Sequence, residues 1–192
     1  MVWGHGLLAI ENGALQDRGV NMATMIPSSV HDDCKSNAER RLFSRLKNEL
    51  PDSYTVFHSL GIAKHNKKLV AEIDFVIVGN KGILCLEVKG GRISQKSGVW
   101  SYTDRYGKVH KKGESPFNQA RTAMFGLIAS IKSKFKVPSP QAGAAIGYAV
   151  VFPDAQFTVE SPEWDLKKSS ITLPVNCALS SFQPYSSLIA KW

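Results

Sequence analysis

The chain has only three cysteines, Cys34, Cys85 and Cys177, with none of the spacings of a metal-binding set. An odd, scattered set excludes a disulfide framework, speaks against a zinc site and fits a reducing cytoplasm. No uninterrupted apolar stretch approaches the ~18 residues of a membrane-spanning helix, and no cationic start precedes a small-residue cleavage site. The sequence therefore predicts a soluble, unexported, cytoplasmic protein that does not engage a membrane. Acidic residues are scarce, with 16 Asp plus Glu against 24 Lys plus Arg, for a formal net charge of +8. A Walker-type phosphate loop is lacking, which excludes ATP-driven work by these residues alone; Gly79-x-x-Gly82 and Gly90-Gly91 read as turns. The histidines offer no site, since His58 and His65 lack a matching carboxylate or thiol cluster and His110 lies among basic residues.

What is present supports one substantial core: 192 residues of which 43% are apolar, enough for a single domain. Residues 1–35 read as an extension, weakly structured in part, residues 36–153 as the folded unit, and residues 154–192, rich in Ser and Pro, as a cap on the core or a lead into a neighbouring domain. Ser36-Asn37-Ala38-Glu39 has the form of a capping box, and Glu39, Leu42, Phe43, Leu46 and Leu50 fall on one helical face. Glu39 thus has two readings, a reciprocal cap or a carboxylate at the head of the stripe that meets the sheet. A second helix is predicted from Pro116 to about residue 135, with Ser115 as N-cap and a stripe of Ala120, Met124, Leu127, Ile128 and Ile131. It carries Gln119 in its first turn. A strand follows from Ala144 to Phe152, and Gly98–Tyr102 with Gly107–His110 suggest a hairpin around residues 104–106.

The chemistry concentrates between the two helices. Ala71–Val78 and Ile83–Lys89 are apolar, β-branched runs joined by the turn signal Gly79-Asn80-Lys81-Gly82. Closing that turn symmetrically opposes Val78 to Ile83, Asp74 to Glu87 and Glu72 to Lys89, with opposed side chains about 5 Å apart on one face. Two carboxylates so placed repel unless a cation lies between them, and a hard divalent ion answers that need. Charges on a solvated hairpin face are the plain alternative. Against it stand Val76 and Val78 on the same face and the apolar run through residues 83–86, which read as strands buried on both sides.

Residues 61–136 hold 15 Lys plus Arg against 5 Asp plus Glu, so the basic surplus is concentrated around this hairpin. A surplus of that kind attracts a polyanion. Lys64, Lys67, Lys68, Arg92, Lys96, Lys108, Lys111 and Lys112 are the candidate phosphate contacts, with a basic solubilising surface as the alternative. Trp100, Tyr102 and Tyr106 are candidates for stacking on bases, although alternation makes Trp100 an equal candidate for the core.

Residues 37–152 resemble the nuclease-related domain, NERD, a branch of the PD-(D/E)xK restriction-endonuclease-like group. The resemblance is carried by Asn37-Ala38-Glu39-Arg40-Arg41, Ala71-Glu72-Ile73-Asp74-Phe75, Gly82-Ile83-Leu84-Cys85-Leu86-Glu87-Val88-Lys89-Gly90-Gly91, Trp100, Pro116-Phe117-Asn118-Gln119-Ala120 and Val150-Val151-Phe152. It implies an α/β fold with a restriction-endonuclease-like core, a central mixed β-sheet flanked by helices. It also implies a deoxyribonuclease dependent on Mg²⁺ or Mn²⁺, with Asp74, Glu87 and the Val88 carbonyl as metal ligands at about 2.1 Å. Lys89 would assist the attacking water, with Glu39 as the helix-borne acid and Gln119 as the polar residue of the next helix. The implied partner is DNA, less so RNA, with a helicase as a possible companion. Ile73, not proline, precedes Asp74, and no helicase or kinase-like sequence follows through Trp192. A non-catalytic nucleic-acid-binding module is the second reading, and a structural or protein-interaction domain the third.

Overall fold

The computed structural model describes residues 22–64, 68–104, 106–135, 144–155 and 170–171. The first 21 residues of the predicted extension over residues 1–35, most of the segment beyond residue 155, Lys67, His65 and Cys177 lie outside them, as do the side chains of Lys64 and Lys68. In chain order the elements are β1 (Thr24–Ile26), α1 (Asn37–Glu49), β2 (Thr55–Lys64), β3 (Lys68–Gly79), β4 (Gly82–Val88), β5 (Arg92–Lys96), β6 (Val99–Thr103), β7 (Val109–Lys112), α2 (Pro116–Lys134), β8 (Ile146–Val151) and β9 (Ser170–Ile171). Among the described residues no helix is long and apolar enough to cross a membrane.

Six strands form a mixed sheet in the order β1-β2-β3-β4-β8-β9, and β5, β6 and β7 form a second, small antiparallel sheet. β3 and β4 pair through the predicted register, Val78 with Ile83, Ile77 with Leu84, Val76 with Cys85 and Phe75 with Leu86. Two-residue closure works because Gly82 adopts φ +131 and because a Cβ there would fall 2.3 Å from the Ala145 carbonyl oxygen. β8 returns parallel to β4, placing Val150 beside Glu87 and Val151 beside Val88. Such a parallel return requires a crossover, which α2 supplies.

Each face of the large sheet is covered by one helix. α1 buries Ala38, Leu42, Phe43 and Leu46 against Val56, Phe75, Ile77, Leu86, Val88 and Val151, as the helical stripe predicts. α2 buries Ala123 and Met124 against Ile73, Val76 and Cys85 on the other face, with Leu127 and Ile128 alongside. β4 therefore alternates Leu86 and Val88 toward α1 with Cys85 toward α2, a strand covered on both sides, which is why its sequence is almost uniformly apolar. Trp100 is fully buried with Phe117, Val150 and Phe152, so it seals the small sheet against the start of α2 and is not a base-stacking platform.

One local expectation is corrected. Glu72 does not oppose Lys89, because β4 ends at Val88 and Lys89 gives its backbone N–H to the Val151 carbonyl at 2.9 Å, while Glu72 is exposed and pairs with Gly61 of β2. The strand β5, Arg92–Lys96, has no counterpart among the elements predicted from the sequence.

Candidate active site

Asp74 and Glu87 sit one residue beyond the last pair between β3 and β4, Phe75 with Leu86, although β3 continues along β2 and Glu87 still pairs with Val150 of β8. Asp74 Oδ2 accepts the Val88 backbone N–H at 2.7 Å, which ties the β3 carboxylate to the strand that carries Glu87. Glu87 is 3% exposed, and its Oε1 accepts a close charge-assisted hydrogen bond from the Lys89 ammonium. Burial, then the charge of Glu87, pushes Asp74 up to about 7, against the lowering effect of the Val88 N–H. Burial also raises Glu87, opposed by Lys89 and by Lys112 of β7 and reinforced by Glu39. Asp74, Glu87, Lys89 and Glu39 are thereby brought within electrostatic reach of one another.

Glu39 arrives from the N-terminus of α1. Ser36 caps that helix, its hydroxyl accepting the Glu39 N–H at 3.2 Å, but the Glu39 side chain does not return the bond. It turns inward, where its Oε2 lies 3.4 Å from His58 Nε2 and 3.7 Å from Cys34 Sγ. The capping box is half made, and the inward reading of Glu39 prevails. Helix and strand approach this closely because Gly90 follows Lys89: a Cβ on Gly90 would lie 2.6 Å from Ala38 Cβ. Asp154 locks the contact, accepting the Gly91 N–H at 2.7 Å and pairing with Arg41 of α1.

His58 is the residue that sequence reasoning missed. It is 4% exposed, lies between the rings of Phe43 and Phe75 at centroid distances of 5.5 and 4.8 Å, and its Nδ1 has no hydrogen-bond partner among the described residues. Ser59 next to it has φ 53, a left-handed conformation costing a non-glycine residue about 1–2 kcal/mol. The inward face of β2 changes there: His58 packs with Phe75 toward α1, whereas Leu60 and Ile62 pack toward α2. Nothing in the local pattern announces that switch. Cys34, which the spacing had set aside, meets Glu39 and His58, with their ligand atoms all within 4.8 Å of one another. Burial raises the Cys34 thiol, reinforced by the neighbouring Glu39 carboxylate, while a backbone hydrogen bond at Ser36 and the charge of Arg40 act against that rise.

The other candidates divide. Gln119 lies in the first turn of α2, half-buried, with its N–H bonded to the Ser115 carbonyl at 3.0 Å and no side-chain hydrogen bond among the described residues. The Val88 group that meets Asp74 is its amide, not its carbonyl. Tyr102 is half-buried and pushed up to about 12 by burial and by the charges of Glu87 and Glu114, so its hydroxyl keeps its proton beside the carboxylates. In the small sheet, register sorts the cations. Lys112 opposes Trp100 and His110 opposes Tyr102, on the face turned toward Glu87. Arg92, Lys96 and Lys111 oppose Thr103, Val99 and Ser101 and belong to the other face. Lys108 is exposed in the turn held by Asp104, and Lys64 pairs with Lys68 at the far end of the β2–β3 arm.

The donor set suits a hard divalent ion. A buried and a half-buried carboxylate with a third beside them outnumber the one ammonium that pairs closely with them, and burial, reinforced by the neighbouring carboxylates, raises the proton affinity of both Asp74 and Glu87. Such a cluster is stable near neutrality either protonated or with a cation.

Comparison with known proteins gives one match. The family model of the nuclease-related domain matches residues 35–164, about two thirds of the chain, and includes Glu39, Asp74, Glu87, Lys89 and Gln119. Neither the curated proteins nor the solved structures yielded a significant match. The chain belongs to the nuclease-related domain family, NERD.

Proposed function

We propose that the chain hydrolyses DNA phosphodiester bonds with Mg²⁺ or Mn²⁺ as cofactor, through Asp74, Glu87, Lys89 and Glu39. The observation that supports this reading is the pair Asp74 and Glu87, on the adjacent strands β3 and β4, both with raised proton affinity and both within electrostatic reach of Glu39. Asp74 and Glu87, with the Val88 carbonyl, would hold the ion, whose chemistry is to neutralise phosphate charge and make water a stronger nucleophile. Lys89 keeps one N–H toward Glu87 and has two more to orient that water or to meet the charge developing on phosphorus. Glu39, within electrostatic reach of both carboxylates, would accept a proton from that water. Gln119, whose amide makes no hydrogen bond among the described residues, would hold a phosphate oxygen at the start of α2. The basic surplus of residues 61–136 offsets repulsion between these acids and an incoming polyanion.

The test is cleavage of linear, circular and single-stranded DNA with Mg²⁺ or Mn²⁺, silenced by EDTA. Undiminished cleavage by Asp74→Ala and Glu87→Ala would refute the assignment. A second reading, a non-catalytic DNA-binding module working beside a helicase, is favoured by one observation: Glu87 is nearly closed off from solvent and already paired. In that case DNA affinity falls steeply with salt while no cleavage accompanies it.

A further inference from the structure

The proposed hydrolysis uses one side of Glu39 and leaves the other unexplained. That side faces Cys34 Sγ at 3.7 Å and His58 Nε2 at 3.4 Å. We propose that Cys34, Glu39 and His58 bind a divalent cation of the zinc class, at a site separate from Asp74 and Glu87 but sharing Glu39 with them.

Three observations carry this. A thiol, an imidazole and a carboxylate form the donor set that suits zinc and its chemical neighbours, whereas magnesium takes oxygen ligands almost exclusively. The spacing fits as well: with tetrahedral bonds to zinc, neighbouring ligand atoms lie about 3.3–3.6 Å apart. Two of the three separations are already near that value, and the third is no more than 4.8 Å. Finally, His58 is 4% exposed, aims Nε2 at Glu39 and has an Nδ1 with no partner among the described residues, so its ring is a buried polar group only half accounted for by them. Ser59, held left-handed, keeps the ring on this side of the sheet.

Three protein ligands leave a fourth position for water or a further donor. On binding, the Cys34 S–H, now directed at Glu39, gives its proton to solvent and the sulfur becomes a thiolate ligand. The Glu39 carboxylate is then committed to the second ion. It follows, and this part rests on the proposed hydrolysis, that zinc slows the magnesium-dependent reaction by withdrawing Glu39 from it.

The test uses the full chain, stripped of metal and titrated with Co²⁺. The expected result is one equivalent bound per chain with a thiolate-to-cobalt charge-transfer band, discharged by Zn²⁺. The band should vanish in Cys34→Ser and Cys34→Ala and survive in Cys177→Ser, with zinc affinity at least about tenfold lower in the Cys34 variants. Cleavage with Mg²⁺ alone should be unchanged in Cys34→Ser, and added Zn²⁺ should inhibit the parent but not this variant. Absence of the band in the parent, or its persistence in Cys34→Ser, overturns the cation site. Equal inhibition of both proteins by zinc overturns the coupling through Glu39. Failure to detect cleavage counts against the hydrolytic reading alone, because the cobalt spectrum decides the site independently.

Discussion

Burial and the charge of Glu87 hold a proton on Asp74 up to about pH 7, where the unfolded chain has lost it near pH 4. Because the folded state then binds more protons than the unfolded one, stability is highest below about pH 4 as far as this group is concerned and declines as pH rises to about 7. The loss is on the order of 2–4 kcal/mol, read as the difference between parent and Asp74→Asn in urea titrations of metal-free protein. Asp74→Asn should remove that decline, be the more stable of the two near pH 8, and lack cleavage, since its amide oxygen still accepts the Val88 N–H but carries no charge. Added Mg²⁺ should restore the parent at the same pH and leave the variant unmoved. Lys89 permits a second prediction. It is the main influence holding Glu87 down, so Lys89→Met should raise Glu87 further and move the acidic limb of the pH–rate profile upward. The maximal rate should fall by about 10²–10⁴.

Among the elements, the contact between α1 and the end of β4 sets the position of Glu39. Gly90→Ala forces a methyl to within 2.6 Å of Ala38 Cβ, so the N-terminus of α1 must withdraw. We expect a stability loss of about 1–3 kcal/mol, measured as a fall in Tm, together with a loss of cleavage larger than the unfolded fraction explains. Ala38→Gly in the same chain should return much of the activity, at the ~1 kcal/mol helix cost of glycine. The elements were unevenly legible. Ser36 and Ser115 announce both helices, and each hydroxyl accepts the expected backbone N–H. The β3–β4 turn could be registered from Asn80, Lys81 and its flanking glycines. The half-made capping box could not, because the side chain of Glu39 chooses between Ser36 and His58, 19 positions further along. β5 was missed because Arg-Ile-Ser-Gln-Lys shows a single apolar residue, although its alternation of exposed and half-buried positions is that of an edge strand.

At the scale of the molecule, the basic surplus is split by the small sheet. Lys112 belongs to the face beside Glu87 and Tyr102, whereas Arg92, Lys96 and Lys111 belong to the opposite face. A short duplex seated at the carboxylates therefore meets Lys112 first. Lys112→Gln should make the dependence of log affinity on log salt shallower by about 0.9. The triple replacement of Arg92, Lys96 and Lys111 by Gln should change that slope less than the single one. The measurement is a salt titration of duplex binding in Ca²⁺ or with Asp74→Asn, so that cleavage does not intervene. A larger effect from the triple variant would place the polynucleotide on the outer face instead.

The sequence by itself determined the elements whose signals are local. Two capped amphipathic helices, a tight glycine turn, a uniformly apolar strand ending in Glu87-Val88-Lys89 and a hairpin with Trp100 are each specified by neighbours within a few residues. The family followed from the same segments. Only the tertiary structure decided which side chains share a space. Asp74 and Glu87 come together because a register set by the turn runs up to them, and even so Glu72 and Lys89 part company, since β4 stops and Lys89 joins β8. Cys34, Glu39 and His58 come from a loop, a helix end and a strand, and they meet because α1 crosses the sheet where Ser59 turns the face of β2. Side-chain direction in a strand repeats every second residue until one backbone angle breaks the period, and that angle is stabilised by packing from elsewhere in the chain.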